Sequence, residues 1–131
     1  MLGASFSHNS VESKDRTLYR FYIGTNFWRF TLLGEIDFIE AEQLPRRANQ
    51  FVGYAEINWL VFDWMNAKFS YDYFDPDRNQ GHDALTRFSI GVEPFLSQYF
   101  QLRLFYRIYN GPKNRPLDNF DQLMSEVHVF F

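Results

Sequence analysis

The stretch SEVHVFF, residues 125–131, decides how the chain is read. Taken in twos backwards, it sets Phe131, Val129, Val127, Ser125 and Leu123 on one side. Phe130, His128, Glu126 and Met124 fall on the other. One side is apolar apart from a serine and the other is mixed, which is the period of a β-strand. The spacing predicts a strand over 121–131 that runs to the last residue, although chain ends are normally polar and frayed.

The same period of two recurs through the chain. RFTLLGEIDFI, residues 29–39, sets Phe30, Leu32, Gly34, Ile36 and Phe38 against Arg29, Thr31, Leu33, Glu35 and Asp37. QLRLFYRIY, residues 101–109, sets Leu102, Leu104, Tyr106 and Ile108 against Gln101, Arg103, Phe105, Arg107 and Tyr109. Helical spacing fits neither. Eight strands are expected, at 2–8, 17–25, 28–39, 50–59, 65–74, 86–93, 99–109 and 121–131. Short links fall around Thr25-Asn26, Leu60–Trp64 and Pro94–Gln98. Longer polar links are expected at HNSVESKD, EAEQLPRRAN, DPDRNQGHDAL and NGPKNRPLDNF. Short turns at one end and long loops at the other describe an antiparallel up-and-down transmembrane β-barrel of about eight strands.

Composition narrows the classes. With 131 residues the chain is one β-barrel domain or the C-terminal part of one. Its net charge of -3 and the lack of a basic stripe speak against nucleic acid as a partner. There is no cysteine, hence no disulfide framework, thiol chemistry or Cys-ligated metal. Aromatic residues reach 21% while the mean hydropathy is only -0.37, because aromatics alternate with charged residues. No apolar run approaches the length of a membrane helix. Residues 1–16 show neither a basic start nor an apolar core, so no signal peptide is expected within them. The abrupt start in a short strand fits a fragment of a wider barrel slightly better than a complete small one.

The two expected faces have distinct chemistry. Towards the interior point Arg20, Arg29, Lys68, Arg87, Arg103 and Arg107, and also Glu35, Asp37, Glu56, Asp72, Glu93 and Glu126. Near the short-turn end the sign alternates from strand to strand, and opposite charges on neighbouring strands attract. This set would form an interior charge ladder or a pore lining. No ring of one sign appears, which speaks against strong ion selectivity. Trp28, Trp59 and Trp64 sit at expected short turns, as interface aromatics do at a membrane boundary.

The ending LMSEVHVFF resembles the C-terminal assembly signal of bacterial outer-membrane β-barrel proteins, in which a final Phe follows alternating apolar residues. Leu123, Val127, Val129 and Phe131 match that signal, with Ser125 a weaker position. The resemblance implies a porin-like passive channel or membrane scaffold in the outer membrane of a Gram-negative cell. It also implies a lipid bilayer and the barrel-assembly machinery as partners, with a homo-oligomer conceivable, and no cofactor or enzymatic activity.

Other sites are weaker. Asp75, Asp77 and Asn79 alternate as in a calcium loop, but Gln80 stands where a glycine is needed and Thr86 where an acid is needed. His8, His82 and His128 fall on separate elements, so no metal site is expected. A membrane-embedded lipid hydrolase would have to use His8 with Ser10. A soluble small-ligand barrel would turn its apolar face inward.

Overall fold

The computed structural model describes residues 1–11, 14–43 and 46–131. Eight strands follow one another: β1 (Leu2–Val11), β2 (Lys14–Phe27), β3 (Phe30–Gln43), β4 (Arg46–Phe62), β5 (Met65–Asp75), β6 (Leu85–Ser97), β7 (Phe100–Asn110) and β8 (Phe120–Val129). Among the described residues a single 3-10 turn occurs, Pro116–Asp118, just before β8. Each strand pairs antiparallel with its chain neighbour, giving one sheet in the order β1 to β8. All-β, up-and-down architecture is therefore what the alternation implied. The expected closure is not: the sheet is open, with β1 and β8 as its edges.

The turns are tighter than their polar sequences suggest. Phe27 pairs with Phe30, so the second hairpin turns on Trp28-Arg29 and not on Thr25-Asn26. Trp28 takes a φ of 52°, the left-handed conformation that two-residue hairpins with primed turns require. HNSVESKD and EAEQLPRRAN, expected as long links, are mostly strand. Asn9 pairs with Arg16, Ser10 with Asp15 and Ala41 with Ala48. Residues 12, 13, 44 and 45 of those two links lie outside the described residues. A backbone ladder needs no apolar side chain, so polar strands can run on past the apolar band. Long connections remain only at 76–84 and 111–119. At the other end of the chain, β8 stops at Val129 and not at Phe131, although the Phe130 N–H still donates to the Tyr99 carbonyl at 2.9 Å.

Burial is inverted relative to a water-soluble sheet. Among the most covered side chains are Gln101 (3% exposed), Ser89, Glu93 (5%), Glu56 and Asp37. Their neighbours on the opposite face, including Phe21, Ile23, Ile36, Ile90, Leu104 and Leu123 (79% exposed), lie open. A cavity of about 250 Å³ on the polar face is lined from β4, through Glu56, to β8, through Glu126. Strands four apart in order share one cavity, so the sheet curls towards its polar side. Small apolar contributions to this face come from Ile39 and Phe105, both buried.

Aromatic pairs mark both ends of the strands. At the turns Phe30 stacks on Trp59 and Phe62 on Trp64, with ring centroids 5.8 and 5.5 Å apart. At the loop end Phe6 meets Tyr19, Phe38 meets Phe51, and Phe51 meets Tyr73, at 5.2, 5.2 and 5.8 Å. Such pairs add about 1 kcal/mol each beyond the area they cover.

Gly91 is a tightly packed glycine of the polar face. A Cβ there would run into the Phe105 ring and come within 2.7 Å of the Leu104 carbonyl oxygen. Gly91→Ala is expected to lower stability by about 1–3 kcal/mol through overpacking, read as a lower urea midpoint. Phe105→Leu added to it should recover part of the loss.

Candidate functional site

Seven ladders bring charges from seven strands, β2 to β8, onto one face. Near the turns, Lys68 on β5 lies between two acids, its Nζ 3.6 Å from Glu56 of β4 and 3.5 Å from Glu93 of β6. Glu93 is in turn shared with Arg103 of β7, 3.5 Å away, and Arg103 reaches Glu126 of β8 at 3.8 Å. His128 closes the series 3.4 Å from Glu126. The sign thus alternates across five strands. Each shared charge has an opposite charge on either side, which offsets part of the cost of covering it.

Towards the loops the pairs become discrete. Arg87 of β6 binds Asp72 of β5 through Nη2 and Nε at 2.8 and 2.9 Å, a two-pronged contact. Arg20 of β2 binds both Glu35 at 2.8 Å and Asp37 at 3.1 Å on β3. Asp72 faces Arg87, and Arg20 faces Asp37, directly across their ladders. Arg107 lies over the Phe105 ring at 5.8 Å, and its Nε has no acceptor among the described residues.

Eleven of the twelve expected ladder residues share this face. Arg29 does not belong to the ladder: it stands in the β2–β3 turn and pairs with Asp63 of the β4–β5 turn. The hairpin turns three residues later than Thr25-Asn26, at Trp28-Arg29, which takes Arg29 out of the strand. Uncharged side chains of the same face join the ladder. The Tyr54 hydroxyl donates to Glu56, the Asn58 amide donates to Glu56 Oε1 at 2.6 Å, and the Gln101 amide donates to Glu93 Oε2 at 3.5 Å. Their signal was the same period-two phase, unmarked by charge.

The remaining candidates fall elsewhere. Trp28 and Trp64 lie in turns, and Trp59 lies inside β4 near its end. Val127 and Val129 are exposed on the apolar face, and Phe131 is exposed beyond β8. His8 approaches the Thr17 hydroxyl at 3.0 Å on that same face, across the ladder from it. The Asp77 carboxylate, offered as a calcium ligand, instead accepts from Asn79 N–H at 3.1 Å and from the Gln80 amide at 2.9 Å. These bonds, the Gln80 amide first, hold its pKa below the usual carboxylate value. Their contribution to loop order is therefore complete above about pH 4 and is lost as the pH falls through the lowered folded value.

What this face can do is set by charge balance. A wall of alternating sign, with five cations against six acids once Arg29 is set aside, interlocks neighbouring strands and offers a passing ion only a small net charge. Glu93 is the most covered acid and serves two cations, so Glu93→Ala should cost about 3 kcal/mol. Glu126, half-exposed near the edge, should cost less than about 1 kcal/mol when replaced by Ala. Urea titration of the two variants checks the order. Limited proteolysis of residues 76–84 is expected to quicken on acidification, and in Asp77→Asn to be fast at neutral pH already.

No protein-family model, no curated protein and no solved structure matches the chain.

Proposed function

We propose that the protein is an outer-membrane β-barrel of the Gram-negative type. It serves as a membrane scaffold or a narrow, porin-like passive channel, its interior occupied by the charge ladder. One observation carries the proposal: within the same strands, charged side chains are covered and large apolar ones are open. In water that arrangement exposes a continuous apolar face far larger than a monomer tolerates. Around hydrocarbon it is the stable one, with lipid against the apolar face and the ladder shielded inside.

Strand register supports closure. Following Cα partners across the sheet, a row that starts at Gly3, near the beginning of β1, arrives at Phe120, the first residue of β8. β1 and β8 are both ten residues long. Laying them side by side would set Phe120 against Val11, eight residues beyond Gly3. Over eight strands that offset corresponds to a tilt of about 35°, a value usual for barrels. Because the offset is even, Glu126 and His128 would keep to the polar side, beside Ser5 and Gly3. A bilayer leaves no water to satisfy open edges, so it favours such closure.

The ladder favours a scaffold or narrow pore over a wide one, since Tyr54 and Phe105 narrow the space it encloses. A soluble ligand barrel would need the opposite burial. A lipid hydrolase would need His8 beside an acid, and its ring nitrogen is instead at the Thr17 hydroxyl.

The protein should require detergent or lipid to remain folded and monodisperse, and should migrate differently on gels before and after boiling. A folded, monodisperse protein in plain buffer overturns the proposal. Planar-bilayer recordings separate scaffold from channel, the scaffold leaving the bilayer closed. For closure, Ser7→Cys with Met124→Cys, in a chain with no other cysteine, should cross-link within one chain. A cross-link between chains points to shared closure by several copies.

A further inference from the structure

We propose that the apolar face carries a binding site for a phosphate-bearing lipid, in a groove across β3, β4 and β5; this rests on the membrane-spanning function proposed above. The groove has a volume of about 710 Å³, within the range of small-molecule sites. Its floor is formed by Gly53 and Ala55 of β4, where the row of large outward side chains is interrupted. Ile36 and Phe38 form one wall, and Tyr71 and Tyr73 the other. Phe51, in contact with both Phe38 and Tyr73, bounds the loop end. The outline is a trough running along the strands, open to the apolar surroundings, with dimensions suited to an acyl chain.

The headgroup assignment comes from Arg78. It lines the same groove at its loop end, with its guanidinium 5.9 Å above the Phe38 ring. The loop beneath is fixed rather than loose. Arg78 N–H donates to the Asn49 carbonyl at 2.9 Å, and Asp77 gathers the next two residues. A cation held at the level of an aromatic band, directly above an apolar trough, complements a lipid phosphate above its chain. Asp75 shares the groove and accepts from the Asp77 N–H at 3.2 Å, which directs it towards the loop backbone.

The test is native mass spectrometry of the detergent-solubilised protein with added phosphatidylglycerol or with a diacyl glycolipid that lacks phosphate. One phosphatidylglycerol should be retained per chain, with a preference over the glycolipid of about ten-fold. Arg78→Gln, which keeps the backbone bond to Asn49, should abolish the preference and leave chain binding. Gly53→Leu should abolish retention of both lipids. The nearest atoms to a Cβ at Gly53 are the Phe51 ring at 3.5 Å and the Tyr73 Cβ at 3.9 Å, both at ordinary contact distance, so the backbone accommodates the change and the added side chain fills the floor. The gel shift on boiling shows that each variant is folded. Equal retention of the two lipids, a preference that survives Arg78→Gln, or binding unchanged in Gly53→Leu overturns the site while the membrane barrel stands. A dimer that Gly53→Leu dissociates assigns the groove to a second copy and also overturns it. Folding without detergent removes the barrel itself.

Discussion

Everything in this sheet depends on phase. A strand turns alternate side chains to opposite faces, so a slip of one residue in any hairpin would exchange lysines and glutamates for tyrosines and leucines. Across seven hairpins that exchange never happens. Two of the turns would have caused it without a correction. Register shifts between Leu60 and Phe62 and again between Phe95 and Ser97. Each irregularity absorbs one residue beside its turn, which is the work of a β-bulge. Charge pairs reinforce the same phase: Lys68 can meet Glu56 and Glu93 only if β4, β5 and β6 agree about which face is polar.

Much of this was legible in the residues. Alternation over 29–39 and 101–109 located the faces, and the signs of Arg20, Asp37, Asp72, Arg87, Arg103 and Glu126 anticipated which strands would be joined by ion pairs. Turn position was not legible. Thr25-Asn26 has the composition of a turn, yet the chain continues as strand to Phe27 and reverses on Trp28-Arg29. The difference arises because cross-strand pairing of Phe27 with Phe30 depends on both strands at once, and local preference sees one. The same reason removed Arg29 from the ladder and gave it to Asp63, a residue with no signal of its own.

Polarity misled in a second way. HNSV and KDRT look like loop sequence, but they pair residue by residue. Hydrophobic patterning reports where a strand has an apolar neighbour, and it falls silent where the strand continues into a polar setting. The strands of β2, β3 and β4, at 14, 14 and 17 residues, exceed the apolar band for this reason. The aromatic pairs Phe6–Tyr19 and Phe38–Phe51 mark where that band stops.

The strict neighbour order of the strands has a consequence for assembly. Every ladder joins segments adjacent in the chain, so each hairpin can form once its own two strands exist, without closing a long loop first. Topologies built from such local steps fold faster than those that require distant segments to meet early. Zipping can begin at any of the hairpins and spread in both directions. Only the joining of Leu2–Val11 to Phe120–Val129 would bring together segments from opposite ends of the chain, and its entropy cost places it last.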